Sequence, residues 1–286
     1  MSEGCKFTSG TLILAGLVLL LLSGCGLGWQ AGRIEARLEA GLELLEVYDF
    51  DGAYAVLSPL PEHLEPGVED WERGWYAAAV AAWHKAPGSA ARIEEATTLL
   101  TGLVEGTTDP DRRARYALDL GRIHEVEDYP DDRRDWEEAR RWYEQAREWA
   151  TGEALWVEAD LRLAQLHLQK LDGTGTRAAL GIVRETARMV ETEPWRSTVM
   201  MYLGEIEASY ADDNAAALQA FLNVDPEFYP VRSRTDGFIW RRALMCVEAG
   251  RYEEAIEQFE YILEYFSRSA YRTVARRKIE ELEATI

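Results

Sequence analysis

Residues 250–262, GRYEEAIEQFEYI, decide the fold of this chain. Ala255 and Phe259 stand four residues apart in this stretch, so on a helix they share one face. The small side chain lets a neighbouring helix approach closely, and the large one fills the space beside it. Gly250 precedes them as a turn residue, and Ile262 continues the apolar stripe. The stretch therefore predicts a helix that packs tightly against another helix.

The same alanine with a larger residue four positions later occurs six times. The pairs are Ala53/Leu57, Ala96/Leu100, Ala139/Tyr143, Ala179/Val183, Ala217/Phe221 and Ala255/Phe259. A small residue precedes each pair, and in five of the six repeats a larger residue stands three positions after it. These small residues are Gly41, Ala79, Gly121, Ala164, Gly204 and Ala243, spaced 38, 42, 43, 40 and 39 residues apart. Recurrence at this period predicts stacked helix pairs, because one pair alone cannot bury its apolar face.

These motifs resemble the tetratricopeptide (TPR) repeat, with a longer period similar to that of Sel1-type repeats. The resemblance implies one all-α domain over residues 33–286: a superhelical solenoid of about six antiparallel helix pairs and a C-terminal capping helix. We expect the six alanines to be buried on the second helices of these pairs. In the second, third and fourth repeats the extra residues are predicted to lengthen turns near Pro87, Pro130 and Gly173. Those turns would form a ridge along one edge.

The N-terminal segment predicts an exported protein. Twelve mostly apolar residues, 11–22, are too few to span a bilayer and suit a signal peptide over residues 1–24. The sequence Leu22-Ser23-Gly24-Cys25 resembles the lipobox of bacterial lipoproteins, which implies a covalent lipid on Cys25 and a short tether, residues 25–32. By the same resemblance, Gly26 implies sorting to the outer membrane with the body facing the periplasm. A generic signal peptide and an uncleaved anchor are the alternatives.

The composition excludes several classes of function. Thirty-one basic residues stand against 51 acidic ones, so the net charge is −20. A field of this sign repels nucleic acids and anionic headgroups. Three cysteines cannot form a disulfide framework, and their spacing matches no zinc site. The remaining expectation is an acidic folded body that acts on proteins or peptides rather than on a small-molecule substrate.

Residues for catalysis or metal binding are sparse. No serine-hydrolase, metalloprotease, nucleotide-binding or calcium-loop motif is present in the sequence. His124 and His167 occupy equivalent positions on successive first helices, and a shared metal there is the alternative to buried histidines. Cys246 stands at a large-residue position and is interpreted as a small apolar side chain. We therefore predict no catalytic, cofactor-binding or metal-binding residues and no cofactor apart from the lipid on Cys25.

One basic cluster lies at the C-terminal end. Its members are Arg268, Arg272, Arg276, Arg277 and Lys278. This cluster is a candidate site for an acidic partner. The alternative is a solvated helix face supported by Arg276/Glu280 and Arg277/Glu281 pairs. The preceding segment resembles repeat ends of envelope proteins of the BamD and YbgF types, although those families commonly have a proline where Ser267 or Arg268 stands.

Together these features predict a non-enzymatic scaffold in the bacterial cell envelope. The resembled families act in barrel assembly, secretin and pilus biogenesis or division coupling, which implies envelope proteins or peptides as partners. A regulator of cell-wall enzymes is the alternative within binding proteins. A peptidoglycan-active enzyme built on a helical solenoid is the alternative from another class.

Overall fold

The described part of the chain is helical throughout. The computed structural model describes residues 31–67, 70–86, 88–125, 134–228 and 235–286. Within these ranges the regular elements are thirteen α-helices and two short 3-10 turns, with no strand. No described helix has the length and apolar character needed to cross a membrane. The predicted all-α class is confirmed.

The helices fall into two compact units, one ending at residue 86 and one beginning at residue 87. The N-terminal unit contains α1 (Ala31–Glu46), α2 (Phe50–Leu57), a 3-10 turn (Pro61–His63) and α3 (Trp71–His84). The C-terminal unit contains α4 (Ala90–Gly106), α5 (Pro110–Glu125), α6 (Trp136–Trp149), α7 (Glu153–Leu168), α8 (Gly173–Met189), α9 (Trp195–Ser209), α10 (Asn214–Phe221), a 3-10 turn (Pro226–Phe228), α11 (Thr235–Glu248), α12 (Tyr252–Tyr265) and α13 (Arg272–Glu283). Consecutive helices pack against each other within each unit.

Glycines on the first helices explain how the pairs close. A Cβ added to Gly41 would lie 2.3 Å from the Leu57 side chain, so the leucine or the helix would have to shift. The same distance, 2.3 Å, separates a Cβ at Gly121 from Tyr143 and a Cβ at Gly204 from Phe221. In all three pairs the large residue that follows the alanine therefore sits directly on the glycine of its partner helix.

The predicted core alanines are buried as expected. Ala53, Ala96, Ala139, Ala179, Ala217 and Ala255 are each fully buried, and each lies on the second helix of its repeat. Five of the six predicted pairs lie within one unit and pack as pairs. The helices of the second predicted pair, α3 and α4, belong to different units.

Helices of the C-terminal unit also contact their next-but-one neighbours. The first helix α5 contacts α7, and α7 contacts α9, in addition to their sequence neighbours. The first helices of successive repeats therefore form one layer, as expected for stacked repeats. At the end of the chain, α13 packs on α12 through buried Ala275 and Leu282, in agreement with the predicted capping helix.

The prediction of a long turn at Gly173 is wrong. Gly173 is the first residue of α8, and only four residues, 169–172, connect α7 to α8. Asp172 caps this helix by accepting a hydrogen bond of 2.6 Å from the Gly175 N–H. A Cβ at Gly175 would lie 2.2 Å from the His167 carbonyl oxygen, so this glycine permits a close approach to α7. The extra residues lengthen the helix and not the turn.

Aspartates cap several second helices in the same way. Asp49, Asp135 and Asp213 accept hydrogen bonds of 2.9, 3.0 and 2.9 Å from the backbone N–H three residues later. Each bond satisfies one of the N–H groups that a helix start leaves without an intrahelical partner. In these repeats the aspartate thus contributes a local signal to the start of the second helix.

Three of the first helices are followed by a residue in the left-handed conformation. Tyr48, Leu171 and Gly250, each seven residues after the small residue of its repeat, have φ values of 60°, 50° and 69°. Glycine adopts this backbone conformation without steric cost, whereas tyrosine and leucine do not. Leu171 and Tyr48 are also among the most exposed apolar side chains, at 82% and 79%.

Candidate interaction surfaces

An open groove lies between α1 and α3 of the N-terminal unit. Its lining residues are Glu39, Leu42, Glu43, Leu45, Glu46 and Arg73, and its volume is about 430 Å³. Leu42 and Leu45 are half-buried, whereas Glu43 and Glu46 are exposed. The groove, which we call the α1–α3 groove, thus combines an apolar strip with a rim of carboxylates.

Arg73 of α3 provides the one guanidinium among the residues that line the groove. Arg73 of α3 donates hydrogen bonds to Glu39 Oε1 at 2.8 Å and to Asp70 Oδ1 at 3.2 Å. The hydrogen bond with Glu39 raises the pKa of Arg73 above its ordinary value. Both side chains of the Arg73–Glu39 pair are about half exposed, so the pair positions α3 beside α1 more than it stabilises the fold.

No motif in the sequence predicts a role for the groove residues. Glu39, Glu43 and Glu46 follow one another at spacings of four and three, which is the signature of a single helix face. This spacing can be read from the sequence. Leu42 and Leu45 lie between the glutamates. The opposite wall of the groove cannot be read from the sequence, because it depends on the packing of α3 against α1.

Ion pairs join neighbouring first helices of the C-terminal unit. Glu158 of α7 accepts from Arg122 of α5 and lies 3.4 Å from Arg115. Burial alone lowers the pKa of Arg122, but the carboxylates of Asp119 and Glu158 outweigh it and raise that pKa. These charges are already paired within the protein, so they fix the register of the helices and leave little free charge for a ligand.

Glu125 connects α5 to α6 and to α7. The Tyr143 hydroxyl on α6 donates to Glu125 Oε2 at 2.6 Å, and Arg162 on α7 lies 3.6 Å from the same oxygen. Burial, followed by this hydrogen bond, raises the pKa of Tyr143 well above its ordinary range. The phenol is therefore neutral at physiological pH and acts as a fixed hydrogen-bond donor.

Two carboxylates, one in each of two successive repeats, bind the turn that precedes the next repeat. Asp111 Oδ1, near the start of α5, accepts from the Thr151 N–H, the Thr151 hydroxyl and the Gly152 N–H at 2.7, 2.9 and 3.0 Å. One repeat later, Glu153 at the start of α7 accepts from the Glu191 and Thr192 N–H groups at 2.9 and 3.0 Å. We call these two sites the turn clamps.

Both turn clamps favour the ionised carboxylate. The backbone hydrogen bonds from Thr151 and Gly152 lower the pKa of Asp111 below its ordinary value. For Glu153, desolvation raises the pKa, but the hydrogen bonds from Thr192 and Glu191 together outweigh it and lower the pKa. Hydrogen bonds from N–H groups stabilise the charged form of a carboxyl group, so both clamps are anionic at neutral pH.

The structure corrects the role of Arg272. Its guanidinium donates to the Leu263 carbonyl oxygen and lies 3.5 Å from the Phe266 carbonyl oxygen, both at the C-terminal end of α12. A cation at this position satisfies carbonyl groups that the helix end leaves free and opposes the negative end of its dipole. Arg272 is therefore a cap of α12, and its guanidinium is engaged within the protein.

The other basic residues divide into paired and unpaired side chains. Lys278 and Arg277 lie 2.9 and 3.6 Å from the Glu281 carboxylate, which confirms the predicted Arg277/Glu281 pair. Arg268 and Arg276 are exposed and form no ion pair among the described residues, so the predicted Arg276/Glu280 pair is not formed. These two arginines are the part of the cluster that is available to a partner.

The candidate reactive residues His124, His167 and Cys246 are partly or fully buried in the fold. Burial lowers the pKa of both His124 and His167, so each imidazole is neutral at physiological pH. Cys246 is fully buried, and burial raises the pKa of its thiol. In the part of the chain that the structure describes, no group of three or more His, Cys, Asp and Glu side chains could hold a metal ion.

Three predicted positions lie outside the described residues. They are Cys25 and two members of the predicted ridge, Pro87 and Pro130. The rest of residues 1–30 also lies outside the described residues. Of the three ridge positions only Gly173 is described, and it belongs to a helix. The lipidation site and the long turns at Pro87 and Pro130 therefore stay predictions from the sequence, whereas the ridge loses its third member, Gly173.

The fold has counterparts among solved structures. PilF of Pseudomonas aeruginosa matches with a TM-score of 0.53 and 13% identity, over 88% of this chain and 97% of that one. The P58(IPK) TPR domain matches with a TM-score of 0.31 and 14% identity, over 88% of this chain and 64% of that one, which is too weak to support an argument. No family model matches the chain, and no curated protein matches its sequence. The PilF match agrees with the helical fold of this chain and does not extend to function.

Proposed function

We propose that this chain is a lipid-anchored, non-catalytic scaffold that holds other envelope proteins at the periplasmic side of the outer membrane. The observation that carries the proposal is the TPR-like stack of helix pairs. Such a stack presents helix faces and turns of successive repeats to solvent as extended surfaces for protein segments. Many of the described titratable groups, such as Asp111, Arg122 and Glu153, are engaged in clamps and ion pairs, which supports a structural role for them.

The anchor rests on the sequence Leu22-Ser23-Gly24-Cys25. A diacylated or triacylated N-terminus holds a protein firmly on a membrane, whereas one acyl chain gives reversible binding. We expect labelled fatty acid to enter the wild-type chain and to be lost in the Cys25→Ala variant, which would also leave the outer-membrane fraction. Cys5→Ala is the matched control, because it removes a cysteine from the same segment and should keep the label. Incorporation of label into Cys25→Ala would show that the lipobox assignment is wrong.

The partner surface can be tested in the same cells. The exposed arginines Arg268 and Arg276 stand at the C-terminal end of a strongly acidic chain, so an acidic segment is the partner they would attract. We expect Arg268→Glu/Arg276→Glu to reduce the yield of crosslinked envelope proteins in affinity purification, and the difference from the wild-type yield should shrink as salt is added. Arg188→Glu/Arg196→Glu is a control with the same charge change on exposed residues elsewhere in the C-terminal unit.

The identity of the captured proteins decides between the functional hypotheses. Recovery of envelope-assembly proteins supports the scaffold, and recovery of cell-wall hydrolases would indicate a regulator of those enzymes. Cleavage of purified peptidoglycan by the chain would contradict the proposal of a non-catalytic protein. Arg272 is left unchanged in these variants because it caps α12.

A further inference from the structure

The rim of the α1–α3 groove carries carboxylates without partners. Of its three glutamates, Glu39 is paired with Arg73, while Glu43 and Glu46 are exposed and form no ion pair among the described residues. They stand three residues apart, so about one helical turn separates them. A ligand with two cationic groups at a similar separation would therefore meet both carboxylates at once.

The lining between the carboxylates is apolar. Leu42 and Leu45 line the groove and are only half-buried, so part of their surface faces solvent in the free protein. Covering such surface contributes about 25 cal/mol for each Å² removed from water. The groove thus offers two different interactions side by side, a hydrophobic contact along its floor and an electrostatic contact at its rim.

We infer that the α1–α3 groove binds a basic amphipathic segment of a partner protein, with apolar side chains against Leu42 and Leu45 and lysine or arginine against Glu43 and Glu46. This inference rests on the proposed role as an interaction scaffold and gives the chemistry of one partner. The net charge of −20 supports it, because a field of this sign concentrates cationic segments near the surface and raises their association rate. The same charge disfavours a second copy of the chain as the occupant.

A peptide probe tests this inference with the full chain purified in detergent. The probe is a fluorescein-labelled helical peptide with lysines three and four residues apart on one face and leucines beside them. We expect fluorescence anisotropy to show binding at least about tenfold tighter than for a scrambled peptide of the same composition. Replacing the leucines of the probe by serine, or its lysines by glutamate, should each weaken binding, because the groove requires both kinds of contact.

Charge reversal locates the site. Glu43→Lys/Glu46→Lys should weaken binding of the probe by about tenfold or more, and the effect should shrink as salt is added. Glu35→Lys/Glu62→Lys is the matched control, because it changes the charge equally on exposed glutamates of the same unit that do not line the groove. Circular dichroism and thermal unfolding of both variants show whether the fold is intact.

Three results would overturn the inference. Equal loss in the two double variants would mean that the general acidity of the chain attracts the probe. Equal binding of the amphipathic and scrambled probes would exclude a groove with an apolar floor. A change of oligomeric state in Glu43→Lys/Glu46→Lys, measured by sedimentation, would assign the groove to a second copy. Failure here leaves the capture of envelope proteins unaffected, so it is distinguishable from failure of the proposed function.

Discussion

At the scale of single residues, backbone strain is concentrated at the ends of first helices. Leu171 adopts a left-handed conformation while its side chain is 82% exposed, so no packing contact offsets the steric cost. Gly250 occupies the equivalent position of the last repeat without that cost. The same turn geometry is therefore built in one repeat by a suitable residue and in another by an unsuitable one.

Leu171→Gly should stabilise the chain. The substitution removes the left-handed strain and loses almost no buried surface, and the added freedom of glycine in the unfolded chain offsets part of the gain. We expect the free energy of unfolding to rise by about 0.5 to 1 kcal/mol, measured by urea denaturation. Gly250→Leu is the reciprocal control and should destabilise by a similar amount. A lower urea midpoint for Leu171→Gly would mean that the exposed side chain makes a stabilising contact.

Arg272 shows what sequence reasoning misses at this scale. The charge of the C-terminal cluster was evident, but its distribution between capping and solvent was not. An arginine side chain is long and reaches carbonyl groups of the preceding helix, and nothing in the local sequence identifies that acceptor. Arg277 was assigned correctly because its partner Glu281 lies four residues away on the same helix.

At the scale of helices, the contact between a glycine and a large side chain sets how closely three of the pairs pack. Gly121 accommodates the ring of Tyr143, which is fully buried and also donates to Glu125. The spacing of these residues was readable from the sequence, which is why the pairing was predicted correctly. In close-packed interiors even one added methyl group is felt.

Gly121→Ala should therefore destabilise the chain although alanine is the better helix former. The new Cβ would lie 2.3 Å from the Tyr143 ring, and we expect a loss of about 1 to 3 kcal/mol in urea unfolding. Gly181→Ala in α8 is the control, because nothing lies within 4 Å of its added Cβ. It should stabilise by up to about 1 kcal/mol. Similar stability of the two variants would contradict the close approach of α5 and α6.

Helix starts were harder to predict than helix pairing. The sequence Asp172-Gly173-Thr174-Gly175 has the composition of a turn, and its glycines disfavour a helix interior. Asp172 nevertheless caps α8, and the absence of a side chain at Gly175 lets the helix start beside the His167 carbonyl oxygen. A close tertiary contact, which local propensity does not report, decides where this helix begins.

At the scale of the whole molecule, the turn clamps connect successive repeats of the C-terminal unit through ionised carboxylates. The folded state lowers the pKa of Asp111 relative to the unfolded chain. In the pH range between the two values the unfolded chain binds more protons, so stability rises with pH there. The contribution is complete above the unfolded value, about pH 4, and is lost as pH falls through the lower folded value.

Asp111→Asn should reduce this dependence on pH. Asparagine keeps an acceptor oxygen at the clamp but cannot be protonated, so we expect the fall in unfolding free energy between about pH 5 and about pH 3.5 to be smaller than in the wild type. Glu105→Gln, on the exposed face of α4, is the control and should change this difference little. An unchanged pH dependence in Asp111→Asn would show that the clamp does not couple protonation to folding.

The turn clamps also bear on how such a chain can vary in length. Asp111 stands ten residues before Gly121, and Glu153 stands eleven residues before Ala164. Each carboxylate accepts hydrogen bonds from the turn one repeat further along the chain. Adding or removing a complete repeat keeps every carboxylate opposite a turn, whereas a partial repeat leaves one facing the side of a helix. We therefore expect duplications and deletions at this junction to add or remove complete repeats.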